Sequence, residues 1–159
     1  MKEQKIQRPS LPILLFLSWF YSGKFPKAPG TVGSLATVPL IFLINYLNIK
    51  TIGLFILILI LFTTAVIVTE HIQKKFQLHD PQWIVIDEVI GMLVTWSFVQ
   101  SVELPMLILV FLSFRIFDII KIWPASYFDR LHHGIGTISD DVVSGLYAGI
   151  LCYYFMNFA

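Results

Sequence analysis

Residues 83–99 read WIVIDEVIGMLVTWSFV, a run greasy enough for a bilayer in which Asp87 and Glu88 stand side by side. Two further runs share the character. Residues 106–121 read MLILVFLSFRIFDIIK and carry Asp118; residues 140–158 read DDVVSGLYAGILCYYFMNF and open on Asp140 and Asp141. A carboxylate at membrane depth is costly, so it faces a bundle interior or a watery cavity and does a job there. The reading that follows is an all-α, polytopic membrane helix bundle with a cluster of acids. Clustered carboxylate oxygens suit a hard divalent cation such as Mg²⁺.

Composition supports the bilayer. The chain has 159 residues, is 57% hydrophobic and only 13% charged, against about 25% charged in soluble domains. That length predicts a single membrane-embedded domain over 1–159. A net charge of +1 leaves no broad basic face, which argues against a nucleic-acid partner. The one cysteine, Cys152, excludes an intrachain disulfide and a cysteine metal cluster. Lys2, Lys5 and Arg8 before LPILLFLSWF imitate a signal peptide, but no small-residue cleavage site follows, and no cleavage is expected.

A membrane-crossing helix needs about 17–25 mostly apolar residues. The expected spans are 33–48, 52–69, 83–100, 104–120 and 140–158, with 11–22 as a short interfacial or half-inserted helix. Segment 70–78, EHIQKKFQL, reads as a short surface helix. Five crossings put Lys2, Lys5, Arg8, Lys24, Lys27, Lys74, Lys75, Lys121 and Arg130 on one side and only Lys50 on the other. The positive-inside rule makes the first side the cytoplasm. Asp87, Glu88, Asp118, Asp140, Asp141, Thr31 and Ser34 then all lie toward the cytoplasmic ends of their helices and can converge near headgroup depth.

Each group has a plain reading beside the chemical one. Asp87 and Glu88 point about 100° apart on a helix, so one or both can meet a metal at its surface, or they simply end a hydrophobic stretch. Arg115, Asp118 and Lys121 recur every three residues. They can serve a metal-bound phosphate, with Asp118 as ligand, Arg115 as bidentate clamp and Lys121 as point charge, or form an internal salt bridge. Asp140 and Asp141 can cap a helix start, or one of them can complete a metal site. Ser144, Gly145, Ala148 and Gly149 form a small-residue face for close helix packing. The loop KAPGTVGS (27–34) offers backbone N–H groups and the hydroxyls of Thr31 and Ser34 to a phosphate, or is a turn and cap. His132 and His133 are candidate proton shuttles; His71 and His79 read as surface residues, and Asp80 and Asp129 either as groups that support the ligands or as turn residues.

Taken together, KAPGTVGSLATVPL (27–40), HDPQWIVIDEVIGM (79–92), FRIFDIIKIWPASYFDR (114–130) and HHGIGTISDDVVSG (132–145) resemble the phosphatidylglycerophosphatase A family. The resemblance runs from about residue 22 to 155. It implies a small bacterial enzyme of the cytoplasmic (inner) membrane, dependent on Mg²⁺, that removes the terminal phosphate of phosphatidylglycerophosphate during phospholipid biosynthesis. The family's acidic motif maps onto Asp87 and Glu88, its Arg/Asp/Lys helix onto Arg115, Asp118 and Lys121, and its last acidic pair onto Asp140 and Asp141. The chain departs from the pattern at Ile122, where the family has proline, and at His133, where it has glycine.

These readings converge on metal-assisted phosphomonoester hydrolysis. Asp87, Asp118 and Asp141 are the expected ligands, Glu88 a ligand or general base, and Asp140 a supporting ligand. Thr31, Ser34, Arg115 and Lys121 are expected to hold the phosphate. The partners are a phospholipid substrate and the bilayer, with no obligate protein partner. A phosphatase of another lipid phosphomonoester, or an ion or proton transporter using the acids as a path, is the rival.

Overall fold

Proline starts four of the helices. Pro12, Pro29, Pro39 and Pro105 each sit at a first or second helical position, where the missing N–H costs nothing and the fixed φ suits the helix. The computed structural model describes residues 9–78, 81–131 and 134–158. Elements in chain order are α1 (Leu11–Leu17), a 3₁₀ turn (Ser22–Lys24), α2 (Pro29–Leu35), α3 (Val38–Tyr46), α4 (Thr51–Phe76), α5 (Ile86–Ser97), α6 (Leu104–Ile120), α7 (Ala125–Asp129) and α8 (Gly134–Phe158). The described residues contain no strand. Lys2, Lys5, Arg8, His79, Asp80, His132 and His133 lie outside them.

Three helical stretches are long and apolar enough to cross a bilayer: Pro29–Tyr46, Thr51–Phe76 and Gly134–Phe158. Four of the expected boundaries move. The stretch 33–48 is bent, because α2 ends at Leu35 and α3 starts at Val38. The polar stretch 70–78 is no separate surface helix. Helix α4 runs through it to Phe76, since Glu70, Gln73, Lys74 and Lys75 are good helix formers. Helix α5 covers only Ile86–Ser97 of the expected span 83–100; twelve residues rise about 18 Å, short of a hydrocarbon core of about 30 Å. Helix α8 begins at Gly134 rather than at Asp140, so Asp140 and Asp141 lie almost two turns inside it. They do not cap its start.

The short α5 is the centre of the bundle. Nearly every residue from Ile86 to Trp96 is buried, the pattern of a helix enclosed on all sides. It packs against α4, α6 and above all α8, which also contacts α6 and α7. Helix α4 is its opposite: Ile52, Phe55, Ile56, Leu59, Ile60 and Ile67 are exposed, an apolar face that only lipid would solvate.

Glycine permits the α5–α8 crossing. A Cβ on Gly145 would lie 2.5 Å from the Gly91 carbonyl oxygen, and one on Gly91 would lie 2.8 Å from the Asp141 carbonyl oxygen and run into the Phe114 ring. The Thr95 hydroxyl sits at the same crossing, 2.9 Å from the Gly91 carbonyl oxygen and 3.2 Å from that of Gly145. This contact brings the first turn of α5 and the Asp140–Asp141 turn of α8 to one end of the bundle.

Candidate active site

At that end lies a polar cavity of about 460 Å³. Its wall takes Asp87 and Glu88 from the first turn of α5, Arg115 and Asp118 from the last turns of α6, and Lys121 from the end of α6. Asp129 of α7 and Asp140 and Asp141 of α8 complete the charged lining. Backbone and side chain of Ala28 to Thr31 close one side. Acids in the first turn of α5 are favoured by the unpaired N–H groups there; the Glu88 N–H donates to Asp87 Oδ1 at 3.0 Å.

The acids divide into two sets. Asp87, Glu88 and Asp141 each offer a carboxylate oxygen, and the three lie within 4.8 Å of one another. Asp118 and Asp140 are instead tied to cations. Arg115 Nη1 meets Asp118 Oδ2 at 2.8 Å, and Lys121 Nζ meets Asp140 Oδ2 at 2.5 Å while also bridging to Asp129. Lys121 ends α6 with φ of 48°, which turns its side chain back toward α7 and α8. Burial alone would lower the Lys121 pKa, but the hydrogen bonds to Asp129 and Asp140 outweigh it and hold the ammonium above its ordinary range. Lys121 is therefore charged at any physiological pH, and its charge serves this bridge.

The entry to α2 is fitted against the same groups. A Cβ on Gly30 would collide with Glu88 Oε1 and stand 3.3 Å from Arg115 Nη1, so only glycine lets this backbone so close to both. Thr31 lines the cavity. Ser34 does not: it is fully buried, donates to the Gly30 carbonyl oxygen at 2.9 Å and accepts from Arg115 Nη1 at 3.4 Å. It stands behind Arg115 and steadies the guanidinium rather than facing the cavity.

The donor set fits a hard divalent cation. Six lining carboxylates, those of Asp87, Glu88, Asp118, Asp129, Asp140 and Asp141, face two cations, Arg115 and Lys121, which leaves a large excess of negative charge. Buried polar atoms are nearly always partnered, yet Glu88 Oε2, Asp140 Oδ1 and Arg115 Nε have no hydrogen-bond partner among the described residues. Close-set carboxylate oxygens, one of them unsatisfied, are the chemistry that Mg²⁺ or a similar ion takes. The unpaired Arg115 nitrogen beside them suits an anionic group.

The sequence model of the phosphatidylglycerophosphatase A family matches residues 15–156, a stretch that contains every residue of this cavity. The chain belongs to the phosphatidylglycerophosphatase A family. A phosphatidylglycerophosphatase A of Escherichia coli K12 is 34% identical over 146 residues, covering 91% of this chain and 84% of the relative. One from Haemophilus influenzae Rd is 33% identical over 144 residues, covering 89% and 87%. A Bacteroides thetaiotaomicron protein, 32% identical over 154 residues and 92% and 94% covered, is named, provisionally, a phosphatidylinositol-3-phosphatase. No solved structure matches the chain. Membership makes the chain a phosphatase.

Sequence reasoning missed four members of the surroundings: Glu70, Gln73, Gln82 and Thr137. Glu70 Oε2 accepts the Gly134 N–H at 2.7 Å, fastening the start of α8 to α4. Gln73 Nε2 donates to Thr137 Oγ1 at 3.0 Å, and Thr137 and Gln82 line the cavity. The signal for Glu70 and Gln73 was their helical spacing: as an extension of α4 they fall on the face that includes buried Thr69 and Ile72.

Proposed function

We propose that the chain hydrolyses the terminal phosphomonoester of phosphatidylglycerophosphate, giving phosphatidylglycerol and inorganic phosphate, with Mg²⁺ as cofactor, in phospholipid biosynthesis. The observation that carries the reading is the juxtaposition of the Asp87, Glu88 and Asp141 oxygens with Arg115 and the α2 entry in one cavity. Family membership supports this substrate.

In this reading Asp87, Glu88 and Asp141 hold the metal, with Asp118 and Asp140 close behind. A bound Mg²⁺ would neutralise phosphate charge and acidify a water. Arg115, already aimed by Ser34 and Asp118, clamps the phosphoryl oxygens, and Thr31 with the N–H groups at the start of α2 supplies further donors. Glu88 takes the proton of the attacking water as its oxygen bonds to phosphorus. The phosphorus–oxygen bond to glycerol breaks, and the leaving alkoxide regains a proton as a hydroxyl. Lys121 keeps Asp140 and Asp129 in place. The nucleophile is water; a trapped aspartyl-phosphate would overturn that assignment.

The reading extends to topology. Five crossings of the bacterial cytoplasmic membrane, with the site facing the cytoplasm, group Lys24, Lys27, Lys74, Lys75, Lys121 and Arg130 at the cavity end, while Lys50 precedes the far end of α4. Helix α6, at 17 residues, meets the lower limit for a span of about 17. The acids gather at one end instead of being strung along the bundle, which disfavours a transport path. The Bacteroides relative's name favours a second reading, the same hydrolysis on another lipid phosphomonoester.

Detergent-purified protein given phosphatidylglycerophosphate and Mg²⁺ should release phosphate, and EDTA should stop it. Release from phosphatidylinositol 3-phosphate alone would move the assignment to the second reading. Ion flux in liposomes with no phosphate release from either lipid would replace both with the transporter.

A further inference from the structure

Beside the catalytic cavity lies a second, more open one of about 470 Å³, walled by Gly23, Lys24, Phe25, Pro26 and Trp83. The two share Pro29 and Gln82 in their linings, so one ligand can occupy both. The second differs sharply in chemistry. Among the described residues its lining holds no carboxylate and one charged group, Lys24, whose ammonium lies 6.0 Å from the centre of the Trp83 ring.

This wall is fixed rather than loose. A Cβ on Gly23 would run into the Trp83 carbonyl oxygen, so the 3₁₀ turn sits directly on the backbone that leads into α5. Val85 N–H donates to the Leu17 carbonyl oxygen at 2.9 Å, fastening the two segments. Before the turn, Trp19, Phe20 and Tyr21 all take positive φ, 41°, 55° and 69°. Left-handed backbone is disfavoured for non-glycine residues, and such strain persists only where the surroundings impose it. Phe20 and Tyr21 are exposed there, as is Phe25 in the cavity wall, and Trp19 is anchored by its Nε1–H on the Ala36 carbonyl oxygen at 2.9 Å. Exposed aromatic rings beside a cation are the side chains that settle at a membrane–water interface.

We infer that this second cavity holds the retained phosphodiester of the lipid substrate, with Lys24 as its cationic partner and the Trp83 and Phe25 rings against the adjoining glycerol and acyl ends. The inference rests on the proposed reaction. Phosphatidylglycerophosphate carries two phosphates joined through glycerol: the terminal monoester that leaves and a phosphodiester that stays. The acid-lined cavity with Arg115 takes the first, and the Lys24 cavity takes the second, where the described lining meets an added anion with a cation instead of six acids. Lys24 is thus a specificity determinant. It favours lipids with a second phosphate over phosphatidate, whose single phosphate is the one to be released.

The test compares phosphate release from short-chain phosphatidylglycerophosphate and from short-chain phosphatidate in neutral detergent micelles. Wild type, Lys24→Met, Lys24→Arg and Lys75→Met are measured; Lys75 is an exposed lysine at the end of α4. Lys24→Met should raise KM for phosphatidylglycerophosphate about two- to fivefold, the worth of a partly exposed charge pair, with kcat and the phosphatidate KM unchanged. Lys24→Arg should restore the preference, and Lys75→Met should leave it intact. An unchanged preference in Lys24→Met, or an equal loss on both lipids or in Lys75→Met, overturns the subsite while the proposed reaction stands. Wild-type protein that releases phosphate from neither lipid overturns the reaction, and the subsite with it.

Discussion

Replacing Asp141 with asparagine should make the metal-free protein more stable and the enzyme inactive. Three carboxylates whose oxygens lie within 4.8 Å are an electrostatic liability until a cation joins them. Two unit charges at that separation, 4.8 Å, repel by about 3.5 kcal/mol at an effective dielectric of about 20. Asp141 faces two such neighbours, and proton uptake by the cluster limits how much of the repulsion survives. Asp141→Asn, which keeps the shape and removes the charge, should therefore stabilise the chelated protein by about 1–3 kcal/mol, a rise of several degrees in Tm for a chain of this size. Mg²⁺ should reverse the order. Wild type gains by linkage, about 2.7 kcal/mol at a hundred times its Kd, and the variant gains much less. Thermal unfolding in detergent, with EDTA and with Mg²⁺, measures both terms. A variant less stable than wild type in EDTA, with a wild type indifferent to Mg²⁺, would refute the idea that these three acids form a cation site.

Other expectations follow from single contacts. Asp118→Asn should lose most turnover yet stay folded, because it removes the charge that aims Arg115; near-normal kcat contradicts that. Lys121→Met leaves Asp140 buried without its cation and should cost about 1–3 kcal/mol, less than a fully buried pair because Lys121 is partly exposed; Lys121→Arg should recover much of it in the same unfolding assay. Gly145→Ala puts a methyl 2.5 Å from the Gly91 carbonyl oxygen, so α5 and α8 must part, at about 1–3 kcal/mol. Its exposed neighbour Leu146 should tolerate alanine within about 0.5 kcal/mol.

Much of the site was legible in the sequence because its residues are chemically out of place. A carboxylate in an apolar run announces itself, and Asp87, Glu88, Asp118, Asp140 and Asp141 all line one cavity. What hydropathy could not show was partnership. Nothing in FRIFDIIK says that Asp118 pairs with Arg115; the 2.8 Å contact does. Boundaries failed for a related reason. A window average reads 83–100 as one long span, but α5 stops at Ser97, since a helix enclosed by its neighbours needs no length to be apolar. At α8 the acids read as a helix start, while glycines such as those at 134 and 136 are common in turns. In the fold both glycines are helical, and each is close-packed: a Cβ on Gly134 would press on the backbone of Val66 and Glu70, and one on Gly136 on that of Leu131.

Asp87, Glu88 and Asp141 are proposed to hold a divalent cation together. Mn²⁺, a spectroscopic stand-in for Mg²⁺, tests this without reference to turnover, by electron paramagnetic resonance on the detergent-purified protein. Bound Mn²⁺ is expected in wild type, displaced by excess Mg²⁺, lost in Asp87→Asn and in Asp141→Asn, and kept by Lys75→Met. Wild-type binding that survives both aspartate substitutions would put the metal elsewhere and contradict the account.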